Sequence, residues 1–268
     1  MSLVDVYQLS RNRLRRFLAP ISRLFMASEP PYILHVFEPP PNAYRIPHWV
    51  SQIESMDQTQ CSECSITRID HRKNLTDKEH EFLVATITHT AGYQCYLKIH
   101  RCVESLSTSD SLTIGSTSVG TLRPALDCVQ FIAEITTENE SMIVSSVSFI
   151  HPNSTPSIPN LSVLLSVVNA HATDYHPRWY NCYWFAHTVT EVLRRKYRGV
   201  DATRNLAQKA RRSKFSSIKI QMVDSIEKVE EEYMDALGVW MKKVTLSEEA
   251  RQDALDQVRS PCCTIVNS

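Results

Sequence analysis

A single cysteine, Cys182, follows Asn181 near the start of the stretch YHPRWYNCYWFAHTVTEVLRRKY, which spans residues 175–197. Asn is a favoured N-cap residue, and Cys182, Phe185 and Val189 recur at the spacing of one helix face. We therefore predict a helix that begins at Asn181 and holds Cys182 in its first turn. Unpaired backbone N–H groups and the helix dipole stabilise a thiolate at that position. Such a thiolate is a candidate nucleophile for acyl chemistry.

A cysteine nucleophile needs a histidine that pairs with the thiolate and protonates the leaving group. The chain has ten histidines, so we compare their positions relative to Cys182. His187 lies five residues after Cys182, about 140° round the helix, and points away. His171 and His176 lie just upstream and reach the thiol only by local folding. His80 starts the strongest predicted strand, and a sheet packed against the helix can present a strand-end residue to its first turn. We therefore expect His80 to be the base.

The elements that must position these residues are a sheet and the Asn-Cys helix. Residues 80–89 and 93–103 are rich in β-branched and aromatic residues and are separated by Thr-Ala-Gly, which predicts an antiparallel hairpin. Residues 141–151 predict another strand, and residues 160–172 predict a helix. Residues 127–135 fit either a helix or a strand. The predicted fold class is α+β, with an antiparallel sheet packed against the Asn-Cys helix and helical N- and C-terminal extensions.

The pattern along the chain predicts four segments. Residues 1–28 form a basic amphipathic arm that either packs on its own domain or lies on an anionic membrane surface. Residues 29–79 are a Pro-rich linker and polar loop, residues 80–200 are the α+β core, and residues 201–268 are a helical extension. Apolar residues between 218 and 244 recur every three or four positions. That stripe predicts docking on the core or helix-mediated self-association.

Composition narrows the class of protein. The chain of 268 residues has 29 basic and 29 acidic residues, so its net charge gives no reason to expect a nucleic-acid partner. The first residues lack a signal-peptide pattern, and we expect an intracellular, cytoplasmic location in a reducing compartment, with peripheral membrane contact through the arm as the alternative. Cys61, Cys64 and His71 supply part of a zinc site, but Cys95 and Cys102 do not form a second C-x-x-C. We therefore predict no metal and no cofactor.

The order of a histidine-bearing strand, its hairpin partner and an Asn-Cys helix resembles the circularly permuted papain-like thiol enzymes. These include lecithin:retinol acyltransferase and phospholipase/acyltransferase relatives and the PPPDE isopeptidases. Asn181, Cys182, Phe185 and Tyr175, seven residues before the cysteine, match the family motif in spacing. The two residues after the cysteine are Tyr and Trp, where the family has Glu and His. The chain is more similar still to fungal proteins with an Asn-Cys-Tyr-Trp-Phe-Ala helix, a likeness that implies no activity.

The resemblance implies a thiol-dependent hydrolase or acyltransferase, in which Cys182 attacks an ester, amide or isopeptide of an acyl-bearing lipid or protein substrate. It further implies that His80 is the base and that His100, on the partner strand, orients it. If residue numbers paired across the hairpin sum to about 180, His100 faces His80. If the turn comes one or two residues later, Cys102 or Glu104 takes that place. The alternative, suggested by the aromatic residues after the cysteine, is an inactive binding or scaffold protein that acts through its terminal helices.

Overall fold

The computed structural model describes residues 43–75, 80–103, 123–132, 141–151, 154–176, 180–203 and 219–259. The predicted N-terminal arm, residues 1–28, and the first part of the predicted linker lie outside these residues. Within them the chain is α+β, as predicted, with an antiparallel eight-stranded sheet and five helices. No helix among the described residues is both long and apolar enough to cross a membrane.

The sheet is assembled from neighbouring antiparallel strands. Its strands are β1 (Tyr44–Arg45), β2 (Cys64–Asn74), β3 (Glu81–His89), β4 (Gln94–Val103), β5 (Arg123–Ile132), β6 (Ser141–Ser148), β7 (Asp174–Tyr175) and β8 (Val200–Asp201). Their order is β1-β5-β4-β3-β2-β6-β8, and β7 pairs with β5. The predicted hairpin of β3 and β4 is confirmed, and Phe82 is the residue paired with His100. The turn therefore comes one residue later than a turn that would place His100 directly opposite His80.

The helices are α1 (Ile46–Ser55), α2 (Gln58–Ser62), α3 (Ile158–His171), α4 (Cys182–Lys196) and α5 (Lys219–Arg259). They form one layer, because the other four helices all contact α3. A capping box of Ser157 and Asn160 starts α3, since each side chain satisfies a backbone N–H at the helix start. The Asn-Cys helix, α4, also packs on β2, β3 and β4, so its first turn lies over the middle of the sheet.

The segment before residue 80 differs from the expected linker and polar loop. Residues 46–55 form α1, and residues 64–74 form β2, which pairs with β3 on one side and β6 on the other. The sequence of β2 resembles a polar loop. In the structure, however, its polar residues are buried and bonded to partners. His71 Nε2 lies 2.5 Å from Glu81 Oε2, and both side chains are almost fully buried. Polar groups of this kind are compatible with a central strand once they are paired.

Side chains alternate between the two faces of the sheet. We call the face under the helices the helical face; it carries Arg101 of β4, which contacts two rings of α4, and Glu81 of β3. The opposite face, which we call the second face, carries the alternate residues. Phe82 of β3 and both Lys98 and His100 of β4 belong to it. The two faces therefore hold different sets of charged groups.

The end of α4 approaches β6 closely at Gly199. The Gly199 N–H donates to the carbonyl of Arg194 at 2.8 Å, and Arg198 has a φ of 51°. A Cβ atom at residue 199 would overlap the side chain of Val147 and lie 2.8 Å from Cε1 of Phe149. Glycine is therefore required here by the lack of space for a side chain.

Candidate functional site

The predicted helix start at Asn181 is confirmed. Asn181 is the N-cap of α4, and its side-chain oxygen accepts a hydrogen bond of 2.9 Å from the backbone N–H of Trp184. Cys182 is the first residue of the helix and is partly exposed. This position puts the sulfur beside the unpaired N–H groups of the first turn. The local backbone is therefore the one that the sequence predicted for a nucleophile.

Tyr175 lies next to Cys182, as the motif spacing suggests. Its Oη is 4.0 Å from Cys182 Sγ. Burial and the neighbouring Cys182 thiol raise the pKa of Tyr175 to about 12, so the phenol keeps its proton at neutral pH. The phenol can therefore donate a hydrogen bond to the sulfur or to a group bound beside it.

A buried ion pair that the sequence did not predict holds this region together. Arg101 is completely buried, and its Nε and one of its terminal nitrogens each donate to a different carboxylate oxygen of Asp127 at 2.7 Å. The guanidinium also donates to the carbonyl oxygens of Ala172, at 2.6 Å, and Tyr180, at 3.4 Å. Because Ala172 follows α3 and Tyr180 precedes Cys182, Arg101 fixes both ends of the loop that leads into α4.

Burial and the hydrogen bonds from Arg101 shift the pKa of the Asp127 carboxyl group in opposite directions. Burial raises the pKa of Asp127, and the hydrogen bonds from Arg101 offset part of that rise. A bidentate contact with a guanidinium favours the charged carboxylate. We therefore treat Asp127 as the counter-ion of Arg101.

Aromatic side chains of α4 complete the packing around Arg101. Its guanidinium carbon lies 5.2 Å from the ring centroid of Trp184 and 5.3 Å from that of Phe185. Phe185 is fully buried, and Trp184 donates through Nε1 to Ser225 of α5 at 3.1 Å. His171 of α3 stacks on Trp184, with ring centroids 6.0 Å apart. The motif residue Phe185 is therefore a core residue, and Trp184 ties α4 to two other helices.

His80 and His100 make contact with each other and not, by hydrogen bond or ion pair, with Cys182. The two imidazole rings lie together, with centroids 5.8 Å apart, on the second face of the sheet. Arg101, the neighbour of His100, points to α4, and successive side chains of a strand point to opposite faces. Among the described residues, no hydrogen bond or ion pair joins either imidazole to Cys182. The expected contact between base and nucleophile is absent from this arrangement.

Burial keeps both second-face imidazoles neutral at pH 7. It lowers the pKa of His100 to about 4, with help from the nearby Lys98 and His80. It also lowers the pKa of His80; the charge of Lys98 lowers this pKa further, whereas the charge of Glu81 raises it. Each ring can therefore donate one N–H and accept at its other nitrogen.

The remaining histidines near α4 have structural contacts. His71 bonds to Glu81 on the helical face, and its ring lies 5.9 Å from that of Tyr183. Tyr183 in turn stacks on His187. The backbones of His176 and Tyr180 exchange hydrogen bonds, so the local folding that brings His176 near the helix start does occur.

The C-x-x-C cysteines lie at the opposite end of β2 from the helix start. Cys61, in the last turn of α2, and Cys64, the first residue of β2, are buried free thiols. Burial raises the pKa of each to about 12, and that of Cys95 to about 11. Among the described residues there is no group of three or more His, Cys, Asp or Glu side chains arranged to hold a metal ion. The buried thiols are protonated and serve as small apolar side chains.

The site thus combines Cys182, Asn181 and Tyr175 over a buried Arg101–Asp127 pair, while His80 and His100 lie together elsewhere. Sequence reasoning missed Arg101 and Asp127 because neither belongs to a motif. Comparison of the chain with protein-family models, curated proteins and solved structures finds no match.

Proposed function

We propose that this chain is a binding protein with an α+β core, in which Cys182 packs at the start of α4 and is not a nucleophile. The observation that carries this proposal is the sidedness of the sheet. His80 and His100 belong to the second face and make no hydrogen bond or ion pair with Cys182 among the described residues, whereas α4 packs on the helical face. A base must come within hydrogen-bond reach of its nucleophile. This favours the alternative in which the chain is a catalytically inactive binding protein.

The residues after Cys182 support the same conclusion. Permuted papain-like enzymes have polar residues at these two positions, but here Tyr183 stacks on His187 and Trp184 is buried against Arg101 and His171. These contacts give both aromatic rings a packing role.

The C-terminal helix α5 offers the surface through which such a protein could bind. Its buried stripe, formed by Ile226, Val229, Tyr233 and Trp240, docks α5 on the core. Val239 and Leu246, seven residues apart and so on one face of α5, nevertheless remain 68% and 66% exposed. Exposed apolar side chains on a helix that is already docked favour a further contact. We propose self-association of the chain through this part of α5.

Labelling with an iodoacetamide probe, quantified for each cysteine by peptide mass spectrometry, tests whether Cys182 is inert. At neutral pH Cys182 should label no faster than an unactivated thiol, and His80→Ala should leave that rate unchanged. Cys182→Ala is the control that identifies the labelled peptide. Fast labelling of Cys182 that depends on His80 would refute the proposal.

Sedimentation velocity tests the contact through α5. Val239→Ser combined with Leu246→Ser should shift any dimer of the wild-type chain toward monomer. Lys228→Ser is the matched control, since Lys228 is 68% exposed on the same helix. A wild-type chain that stays monomeric at all protein concentrations would contradict self-association.

A thiol-dependent hydrolase or acyltransferase of permuted papain-like fold is the second candidate, because Cys182 is partly exposed and its sulfur has a phenol at 4.0 Å. In this case Tyr175 would donate to the developing oxyanion, and His176 would replace His80 as base. The substrate would be an acyl-bearing lipid or protein, and residues 1–28 would bring the chain to a membrane. Fast Cys182 labelling that is lost in His176→Ala but kept in His80→Ala would favour this candidate.

A further inference from the structure

Nitrogen-bearing side chains surround Phe82 on the second face of the sheet. Arg72 of β2 and His100 of β4 are the two cross-strand partners of Phe82. Lys98 Nζ lies 4.8 Å from the centroid of the Phe82 ring, and His80 stacks on that ring with centroids 6.4 Å apart. We call Arg72, His80, Lys98 and His100 the Phe82 cluster. Adjacent strands are about 4.8 Å apart, so Arg72 and His100 are roughly 10 Å apart at the backbone, and their long side chains can converge on one small ligand beside Phe82.

Two buried nitrogen atoms of the cluster lack partners. Arg72 Nε and His100 Nδ1 are buried and have no hydrogen-bond partner among the described residues. Lys98 makes no ion pair with any of those residues either. Its contact with the Phe82 ring offsets some of the charge but supplies no hydrogen-bond acceptor oxygen.

The neighbouring carboxylates are already engaged. One oxygen of Asp70 accepts from both Arg68 Nε and Ser146 Oγ at 2.7 Å, and Glu81 bonds to His71 on the other face. Asp70 still raises the pKa of Arg72, but burial outweighs it and the net effect is a lowered pKa. Burial also lowers the pKa of Lys98. Both cations therefore carry a desolvation cost that their surroundings do not repay.

We propose that the Phe82 cluster is an anion site that binds a phosphate group through the Arg72 guanidinium, the Lys98 ammonium and the N–H groups of His80 and His100. A guanidinium presents a planar fork that matches two phosphate oxygens, and an ammonium adds a point charge. A phosphate dianion balances two cations and has enough oxygens for all four side chains, whereas a carboxylate carries one charge and two oxygens. All four side chains are partly exposed, so a ligand can approach them from solvent, although Arg72 Nε and His100 Nδ1 themselves are hidden.

The site goes beyond the proposed function and does not depend on it, because no hydrogen bond, ion pair or ring contact joins a member of the Phe82 cluster to Cys182 among the described residues. A reactive Cys182 would overturn the binding-protein proposal and leave the anion site untouched. A chain that does not bind phosphate would overturn the anion site and leave the binding-protein proposal untouched.

Thermal unfolding and calorimetric titration on the full chain test the site, with inorganic phosphate and glycerol 3-phosphate as separate arms and chloride at matched ionic strength as reference. Binding of either phosphate should raise the Tm of the wild-type chain. Preference for the free ion or for the monoester identifies the source of the phosphate group. If neither compound raises the Tm more than chloride does, the proposal is overturned.

Lys98→Met gives the decisive comparison. It should weaken phosphate binding by roughly tenfold or more, because a charge-assisted hydrogen bond is lost. The same variant should raise the Tm in phosphate-free buffer, since it removes a half-buried charge that has no counter-ion. Lys228→Met, at an exposed lysine of α5, should change neither quantity. Equal phosphate affinity in Lys98→Met and Lys228→Met would overturn the assignment.

Histidine NMR on the wild-type chain gives an answer even if a variant fails to fold. A bound phosphate dianion stabilises the imidazolium form, so the pKa of both His80 and His100 should rise when phosphate is added. His48, an exposed residue of α1, serves as the internal control and should not move. Titration curves of His80 and His100 that are identical with and without phosphate would refute the site.

Discussion

Replacing Asp127 with Asn should destabilise the fold by about 3–5 kcal/mol, the cost expected when one partner of a buried ion pair is removed. Arg101 is completely buried and donates two hydrogen bonds of 2.7 Å to this one carboxylate. Asn keeps the shape and one acceptor oxygen but loses the charge. Because hydrogen bonds to charged groups contribute about 1.5–3 kcal/mol each, loss of one bond and weakening of the other give a similar total. The guanidinium would keep its bonds to Ala172 and Tyr180, so the fold should survive.

Urea unfolding followed by circular dichroism measures this cost. The midpoint should fall with little change in the slope m, since the native core is expected to stay intact. Asp57→Asn is the matched control, because Asp57 pairs with Arg251 at 2.9 Å in an ion pair whose side chains are 31% and 68% exposed. An exposed pair of this kind contributes about 1 kcal/mol or less.

A double variant separates the charge from the packing. Arg101→Met with Asp127→Leu should recover most of the lost stability, because well-packed apolar residues often replace a buried ion pair at little cost. If Asp127→Asn costs no more than Asp57→Asn, then Arg101 is not held by its counter-ion and does not fix the loop that leads into α4.

Three further changes test other parts of α4. Asn181→Ala should cost about 1 kcal/mol in urea unfolding, because the backbone N–H of the third helical residue loses its cap. Gly199→Ala should lower the free energy of unfolding by about 1–3 kcal/mol, since the added Cβ overlaps Val147; an unchanged Tm would contradict the close approach. Burial alone would raise the pKa of Glu191, but hydrogen bonds from the two arginines of the last turn outweigh it and lower the pKa from 4.5 to about 2. That stabilisation is present above the unfolded pKa and is lost as the pH falls toward 2, so Glu191→Gln should remove about 1 kcal/mol, discounted for the exposure of the arginines, at pH 7 and nothing at the lowest pH.

The β3–β4 hairpin, the strand at residues 141–148 and the start of α4 could be predicted because each depends on local signals. β-branched runs around a short turn, an Asn N-cap and a 3.6-residue apolar pattern act within a few residues of one another. The strand β2 could not be predicted in the same way. Its buried polar residues, Asp70 and His71, break the apolar pattern and are satisfied only by Arg68, Ser146 and Glu81, the last two from other strands.

The site was predicted in part for a related reason. Tyr175, Asn181 and Cys182 lie close in sequence, so their meeting required only a turn and a helix. The side of the sheet on which His100 lies depends instead on whether His100 or its neighbour Arg101 faces α4. Arginine is almost never fully buried without a partner, so sequence reasoning has no cause to turn Arg101 toward the core. Asp127, 26 residues away on β5, supplies that partner.

The difference in charge balance between the two faces supports a ligand on the second one. On the helical face, Arg101 is matched by Asp127 and His71 by Glu81, and each pair is buried at short distance. On the second face, Arg72 Nε and His100 Nδ1 are equally hidden from solvent but have no partner among the described residues. The second face does pair Arg68 with Asp70 at 2.7 Å, but Arg72 and Lys98 make no ion pair there among the described residues. Two half-buried cations without an ion pair lower stability, and an anion from outside the chain would offset that cost.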